Sequence, residues 1–228
     1  MSAQHRLLTF VVAAVLGLSA CSQGQDTGDP EAALAAAKQN LDETTGVHIV
    51  LSTEKLPAGV SGLLNADGVG THDPAFKGDI KVATSGITAD AAVVAVDGFV
   101  YAKLPFTTKF VPIDPADYGA PDPAALMRAE GGLSSLLSEA TDVQEGQQVR
   151  DGKVVLSSYT ASVPGEAVAS VIPSASATAD FKATFTVNDE DRLSKAVLTG
   201  PFYPEGGDVT YTIAFDDYDT SQNITDPR

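Results

Sequence analysis

One residue is placed for covalent chemistry. In Leu18-Ser19-Ala20-Cys21 an aliphatic residue and two small residues precede a thiol. This is the pattern of a lipobox: the small residues let a peptidase reach the backbone, the thiol takes a diacylglyceryl group, and cleavage makes Cys21 the new N-terminus. Behind Arg6, Leu7–Leu18 is an uncharged apolar run of 12 residues. A spanning helix needs roughly 20, so the run fits the apolar core of a signal peptide. Ser22–Asp29, with Gly24 and Gly28, reads as a flexible tether. The expected organisation is a signal peptide over 1–20, a lipidated cysteine and tether over 21–29, and a single domain over 30–228. The lone cysteine leaves no intrachain disulfide.

Few other residues offer reactive chemistry. His48 lies in a strand-like run and His72 in a loop before Asp73-Pro74. Without a thiol partner they could supply only part of a metal site, and structural hydrogen bonds are the better expectation for both. Asp189-Glu190-Asp191 and Asp216-Asp217-Tyr218-Asp219 carry hard oxygen ligands that could hold calcium, but neither matches an EF-hand loop. No G-x-S-x-G elbow and no Gly-rich phosphate loop is present. No catalytic residue, metal or cofactor is assigned, and the chain is not expected to be an enzyme. The net charge of −16 repels phosphate backbones and anionic headgroups alike, which argues against nucleic acid and against a basic membrane patch. Any membrane anchor must therefore be hydrophobic.

The elements that would carry a site read as α+β. Asp29-Pro30-Glu31 starts a helix that places Leu34, Ala37 and Leu41 on one stripe before Gly46. Val47–Thr53 and Gly78–Thr84 are strand-like, the latter with Ile80 and Val82 on one face. Ala91–Val96, Asp97-Gly98 and Phe99–Leu104 form a hairpin with a type I′ turn. That turn pairs Val96 with Phe99 and Val94 with Tyr101 on one face, and gives Val93, Ala95, Val100 and Ala102 to the other. Both faces are apolar, so both must be covered, or one must line a dry cavity. Asp122–Ala140 reads as helix in two pieces broken at Gly131-Gly132, with Leu133, Leu136 and Leu137 among its apolar residues. A second hairpin is expected to turn at Asp151-Gly152, and Gly165–Ile172 is a short helix with Val168 and Ile172 apolar. Phe181–Val187, Leu193–Thr199 and Val209–Phe215 are antiparallel strands, the first and last strictly alternating. Composition alone favours an ordinary packed core over an apolar cavity.

The ordered series Gly46–Gly59, Gly78–Val82, Ala95–Lys103 with Asp97-Gly98 and Tyr101, Asp122–Ala124, Gly132-Leu133 and Val149–Leu156 resembles the LppX/LprA/LprF/LprG lipoprotein family of mycobacteria and related actinobacteria. The resemblance implies a strongly curved antiparallel sheet, a half barrel, with short helices on its concave face enclosing a hydrophobic cavity. It implies a carrier of multi-acyl lipids, triacylglycerol or triacylated glycolipid, moving them from the plasma membrane toward the outer envelope. The implied partners are that lipid, the plasma membrane through Cys21 on its extracytoplasmic face, and a membrane exporter of the major facilitator type. Ile80 and Val82 match the strand lining the family's cavity. Tyr101, Leu133, Leu136 and Leu137 are expected as walls, with Val168 and Ile172 near the mouth, and Ile80→Trp is expected to fill part of the cavity. A structural or adaptor lipoprotein with no ligand of its own is the alternative. A cavity of several hundred Å³ favours the carrier, and a filled core the adaptor.

Overall fold

The structure is a computed structural model that describes residues 28–84, 86–118 and 120–228. The lipobox, Cys21 and most of the tether lie outside the described residues. The described chain begins with the expected helix, α1 (Pro30–Glu43), in which the Asp29 carboxylate accepts from the Glu31 N–H at 3.1 Å. Such a cap stabilises a helix by about 1 kcal/mol. Leu34, Ala37 and Leu41 are buried, as their spacing requires.

Eleven strands follow among the described residues: β1 (Gly46–Ser52), β2 (Gly62–Thr71), β3 (Ala75–Thr84), β4 (Ile87–Val96), β5 (Phe99–Lys103), β6 (Val111–Ile113), β7 (Thr141–Asp151), β8 (Val154–Val163), β9 (Phe181–Asn188), β10 (Leu193–Gly200) and β11 (Val209–Asp216). They form one antiparallel sheet in the order β6-β5-β4-β3-β2-β1-β11-β10-β9-β8-β7. The sheet is curved and unclosed, with β6 and β7 at its two edges. The only non-sequential neighbours are β1 and β11, so the first and last strands meet at the centre. The half barrel with short helices on its concave side is thus the fold expected from the sequence.

The inner face is set by register. Val47, Ile49 and Leu51 of β1 lie opposite Phe215 and Ile213 of β11 on one side and Gly70, Gly68 and Ala66 of β2 on the other. The same face continues through Phe76, Gly78, Ile80 and Val82 of β3 to Ala91, Val93 and Ala95 of β4. On the far side it runs through Tyr211, Leu198, Ala183 and Ala161. The concave side is covered by α1, by α2 (Ser135–Ser138), by α3 (Gly165–Val171) and by single 3₁₀ turns at Pro115–Tyr118 and Ala125–Met127. Glycines fit one of these turns to the sheet. A Cβ on Gly70 would stand 2.6 Å from Met127 Cγ, so Met127 rests directly on the backbone of β2.

Two sequence expectations need correction, and one strand carried no sequence signal. Asp122–Ala140 is not two helices: it is one 3₁₀ turn and the four-residue α2. Its apolar residues are too few and too closely followed by Gly131, at φ 70°, to propagate a helix. The second hairpin turns at Gly152-Lys153, because Asp151 pairs with Val154. Gly152 alone has positive φ there (61°), as a type II′ turn requires. The strand β2 was not legible, since its Gly-Leu-Leu-Asn-Ala-Asp-Gly-Val-Gly run has low strand propensity. By contrast, Asp97 (φ 55°) and Gly98 (φ 76°) form the expected tight turn, with Val96 opposite Phe99 and Val94 opposite Tyr101.

Candidate functional site

An apolar cavity lies between the concave face and its cover. Its floor is Leu51, Leu63, Leu198 and Ile213, from the ends of β1, β2, β10 and β11. Its roof is Tyr118, Leu126, Leu133 and Leu136 of the 115–138 segment, Ile172 beyond α3, and Phe202 and Tyr203 of the β10–β11 connection. The polar atoms of this wall satisfy one another: the Tyr211 hydroxyl donates to the Leu63 carbonyl at 2.7 Å and lies 2.7 Å from the Tyr203 hydroxyl. Burial, followed by that Tyr203 contact, pushes the Tyr211 phenol well above its ordinary range, so it stays a neutral donor. Phe181, Phe202 and Tyr211 stack edge to face with ring centroids 4.9 Å apart in each pair. The result is a dry aromatic wall. The cavity itself is about 80 Å³, two or three times the roughly 30 Å³ of a water molecule in the liquid and less than one acyl chain.

The residues singled out in the sequence separate into three groups. Leu133, Leu136 and Ile172 line the cavity. Leu137 and Val168 are buried in the adjoining core, and Ile80 and Val82 lie half-buried on the inner face of β3, beyond the closed cavity. Tyr101 is elsewhere. Its register partner Val94 faces outward, and Tyr101 packs with Ala75, Val94, Val96 and Ile224 on the convex side. Its hydroxyl donates to Asp226 at 3.2 Å, and the Arg228 guanidinium lies 5.1 Å from its ring centroid. Tyr101 is therefore not a cavity wall: the C-terminal tail covers it. Phe202 and Tyr203 line the cavity without having been singled out; the two adjacent aromatics of Pro201-Phe202-Tyr203-Pro204, in a turn with no other reason to be apolar, were the signal.

The histidines are held structurally. His72 Nε2 donates to the Leu41 carbonyl at 2.6 Å, closing the end of α1. His48, on the convex face of β1, has Nδ1 2.6 Å from Asp216 and Nε2 2.9 Å from Asp67. Carboxylates only accept, so both ring nitrogens must donate, and the imidazolium alone does this. The hydrogen bond to Asp67 above all, opposed by burial and helped by Asp216, raises its pKa. Asp217 completes a cluster of metal-ligand type, but both imidazole nitrogens are already engaged. Neither ring is hydrogen-bonded to a serine hydroxyl among the described residues. A larger cleft of about 860 Å³ opens beneath the C-terminal tail, lined by Asp73, Asp97, Asp122, Asp226 and Arg128. Its carboxylates make it unfit for an acyl chain.

The lipoprotein family LppX_LprAFG matches residues 29–224, nearly the whole described chain. The chain belongs to this family. Among curated relatives, the lipoarabinomannan carrier protein LprG of Mycobacterium tuberculosis is 27% identical over 207 residues, 84% of each chain. The same protein from Mycobacterium bovis matches equally. Among solved structures, LprF from Mycobacterium bovis superposes with a TM-score of 0.70 at 13% identity, covering 87% of this chain and 96% of that one. LppX from Mycobacterium tuberculosis gives 0.62 at 16% identity, covering 86% and 98%. The half-barrel fold is therefore shared with both. No described helix is long and apolar enough to cross a membrane.

Proposed function

We propose that this chain is a lipid carrier of the cell envelope. It takes acyl chains under the cover of its half barrel and is held to the extracytoplasmic face of the plasma membrane by acylated Cys21. What supports this reading is membership of the family, whose curated relative LprG is a lipoarabinomannan carrier protein, together with an apolar cavity roofed by single turns and loops. A multi-acyl lipid or glycolipid is the cargo we infer, with transfer toward the outer envelope and a membrane exporter as supplier. Each methylene kept from water is worth about 0.8 kcal/mol, so such a lipid leaves one bilayer only if an apolar path receives it. No bond is made or broken; the protein contributes a path rather than a reaction.

At about 80 Å³ the cavity is too small for that cargo, and in this reading the 115–138 roof lifts on loading. Beneath it the inner face of β2–β4 carries Ala66, Gly68, Gly78 and Ala91 beside Ile80, Val82 and the Phe76 ring, which lies against Gly68. By volume alone, about 80 Å³ favours the adaptor reading, in which the family fold holds a membrane partner and binds nothing. Lipid extraction and native mass spectrometry of the intact protein purified from its own host separate the two. A carrier brings multi-acyl lipid with it. Leu63→Trp, which fills the cavity, lowers occupancy at least about tenfold while the unfolding midpoint stays near that of the wild type. Lipid-free wild-type protein sinks the carrier reading and supports the adaptor.

A further inference from the structure

The loop between β5 and β6 has the form of a membrane-docking element. From Gly98 to Ile113 the chain has no acidic residue and two lysines, Lys103 and Lys109, in a protein of net charge −16. Between those lysines, Leu104 is 51% exposed and Phe106 fully exposed. Phe106 has φ 66°, a left-handed conformation that a bulky side chain adopts only under strain. A tight turn holds it there: the Thr107 N–H and hydroxyl donate to the Leu104 carbonyl at 3.1 and 2.7 Å. The fold therefore sustains strain that keeps an aromatic ring in water, which packing alone would not select.

The rest of the molecule is polarised to match. The strand directions put this loop at the same end of the sheet as Ile87, which opens β4 and is 68% exposed, and as the cavity, whose floor comes from the ends of β1, β2, β10 and β11. Tyr118, 60% exposed, stands at the cavity mouth. The densest acidic turns, Asp97, Asp189-Glu190-Asp191 and Asp216-Asp217, stand at the opposite end, while the scattered acids Glu54, Asp117, Glu205 and Asp208 share the cavity end. Five-residue β5 separates the loop from the Asp97 turn by about 17 Å, about twice the roughly 8 Å screening length at physiological salt. The acidic clusters of the far end are therefore largely screened from this loop.

We propose that Leu104 and Phe106 insert into the interface of a phospholipid bilayer, with Lys103 and Lys109 at the headgroups, and that this turns the cavity mouth toward the membrane. The orientation of the mouth matters only if the carrier reading holds; the docking itself does not depend on it. The chain has no tryptophan, so a single introduced indole reports on one site. The intact protein carrying F106W is added to vesicles of phosphatidylcholine and phosphatidylglycerol containing brominated acyl chains. The expected result is a blue-shifted emission that the bromines quench, whereas V149W, exposed at the far end, is unquenched. Adding K103E and K109E to F106W lowers vesicle partitioning more than tenfold, since each lysine at an anionic surface contributes about fivefold. Equal quenching of F106W and V149W overturns the proposal, and partitioning unchanged by K103E and K109E overturns the role of the lysines. A loop that docks on lipid-free protein leaves the docking standing while the carrier reading falls. Lipid-loaded protein whose F106W stays unquenched does the reverse.

Discussion

At the scale of single residues, His48 and Tyr101 show how register decides role. His48 is flanked on the convex face by Asp216 of β11 and Asp67 of β2, and each ring nitrogen meets a carboxylate. Its pKa is raised in the folded state above the ordinary value of 6.5. Its stabilising contribution is thus fully present below about pH 6.5 and is lost as pH rises through the raised folded value. Urea midpoints measured across that window should fall with rising pH in the wild type and lose most of that slope in His48→Ala. Tyr101 is 1% exposed under the C-terminal tail. Tyr101→Ala should cost about 3–5 kcal/mol of stability, read from denaturant unfolding. Because Tyr101 lies on the opposite face from the cavity, the lipid occupancy of the fraction that remains folded should not change.

At the scale of elements, the close approach of β2 and β3 controls the bend in the sheet. Gly68 and Gly78 are direct cross-strand partners on the inner face, and a Cβ on Gly68 would come within 2.7 Å of the Gly78 Cα. The absence of a side chain on Gly68 lets the Phe76 ring lie over it, and the absence of one on Gly78 lets its backbone approach the Asp67 carbonyl. Gly78→Val should destabilise the fold by about 1–3 kcal/mol through overpacking, seen as a lower urea midpoint with an unchanged slope. The hairpins show the complementary lesson. Asp-Gly at 97–98 sets its own register because both residues take positive φ. The same dipeptide at 151–152 is shifted by one residue, because the pairing of β7 with β8, which includes two bulges, decides the count.

At the scale of the whole molecule, the two layers differ in how their backbones are hydrogen-bonded. The sheet is continuous and its central strands are buried on the inner face by α1 and the aromatic wall. The roof over 115–138 is held by isolated turns such as Ala125 N–H to Asp122 carbonyl and Leu133 N–H to Leu126 carbonyl. Local opening free energy follows such differences. Hydrogen exchange should therefore protect β9–β11 far more than the roof, with the roof amides opening well below the global unfolding free energy. Uniform protection of both layers would remove the route by which a cavity of about 80 Å³ could admit an acyl chain.

The sequence by itself determined the elements whose signals are local: α1 with its Asp29 cap, the Asp97-Gly98 hairpin, and the alternating strands β9 and β11. It also determined that both faces of the β4–β5 hairpin need cover near the turn, since every residue of Ala91–Val96 and Phe99–Ala102 is apolar; the core on one face and the C-terminal tail on the other provide it. The ordered series of short motifs was enough to indicate the family and the half barrel. Tertiary structure decided what depends on long-range contact. It made a strand of glycine-rich β2, whose propensity is poor, because two neighbours supply its hydrogen bonds. It gave Tyr101 to the tail rather than to the cavity, because period-two alternation tells which residues share a face but not which face is concave. It assembled the cavity from strand ends and loops such as Phe202 and Tyr203 that are remote in sequence, and closed it to a volume that no pattern of residues along a chain can encode.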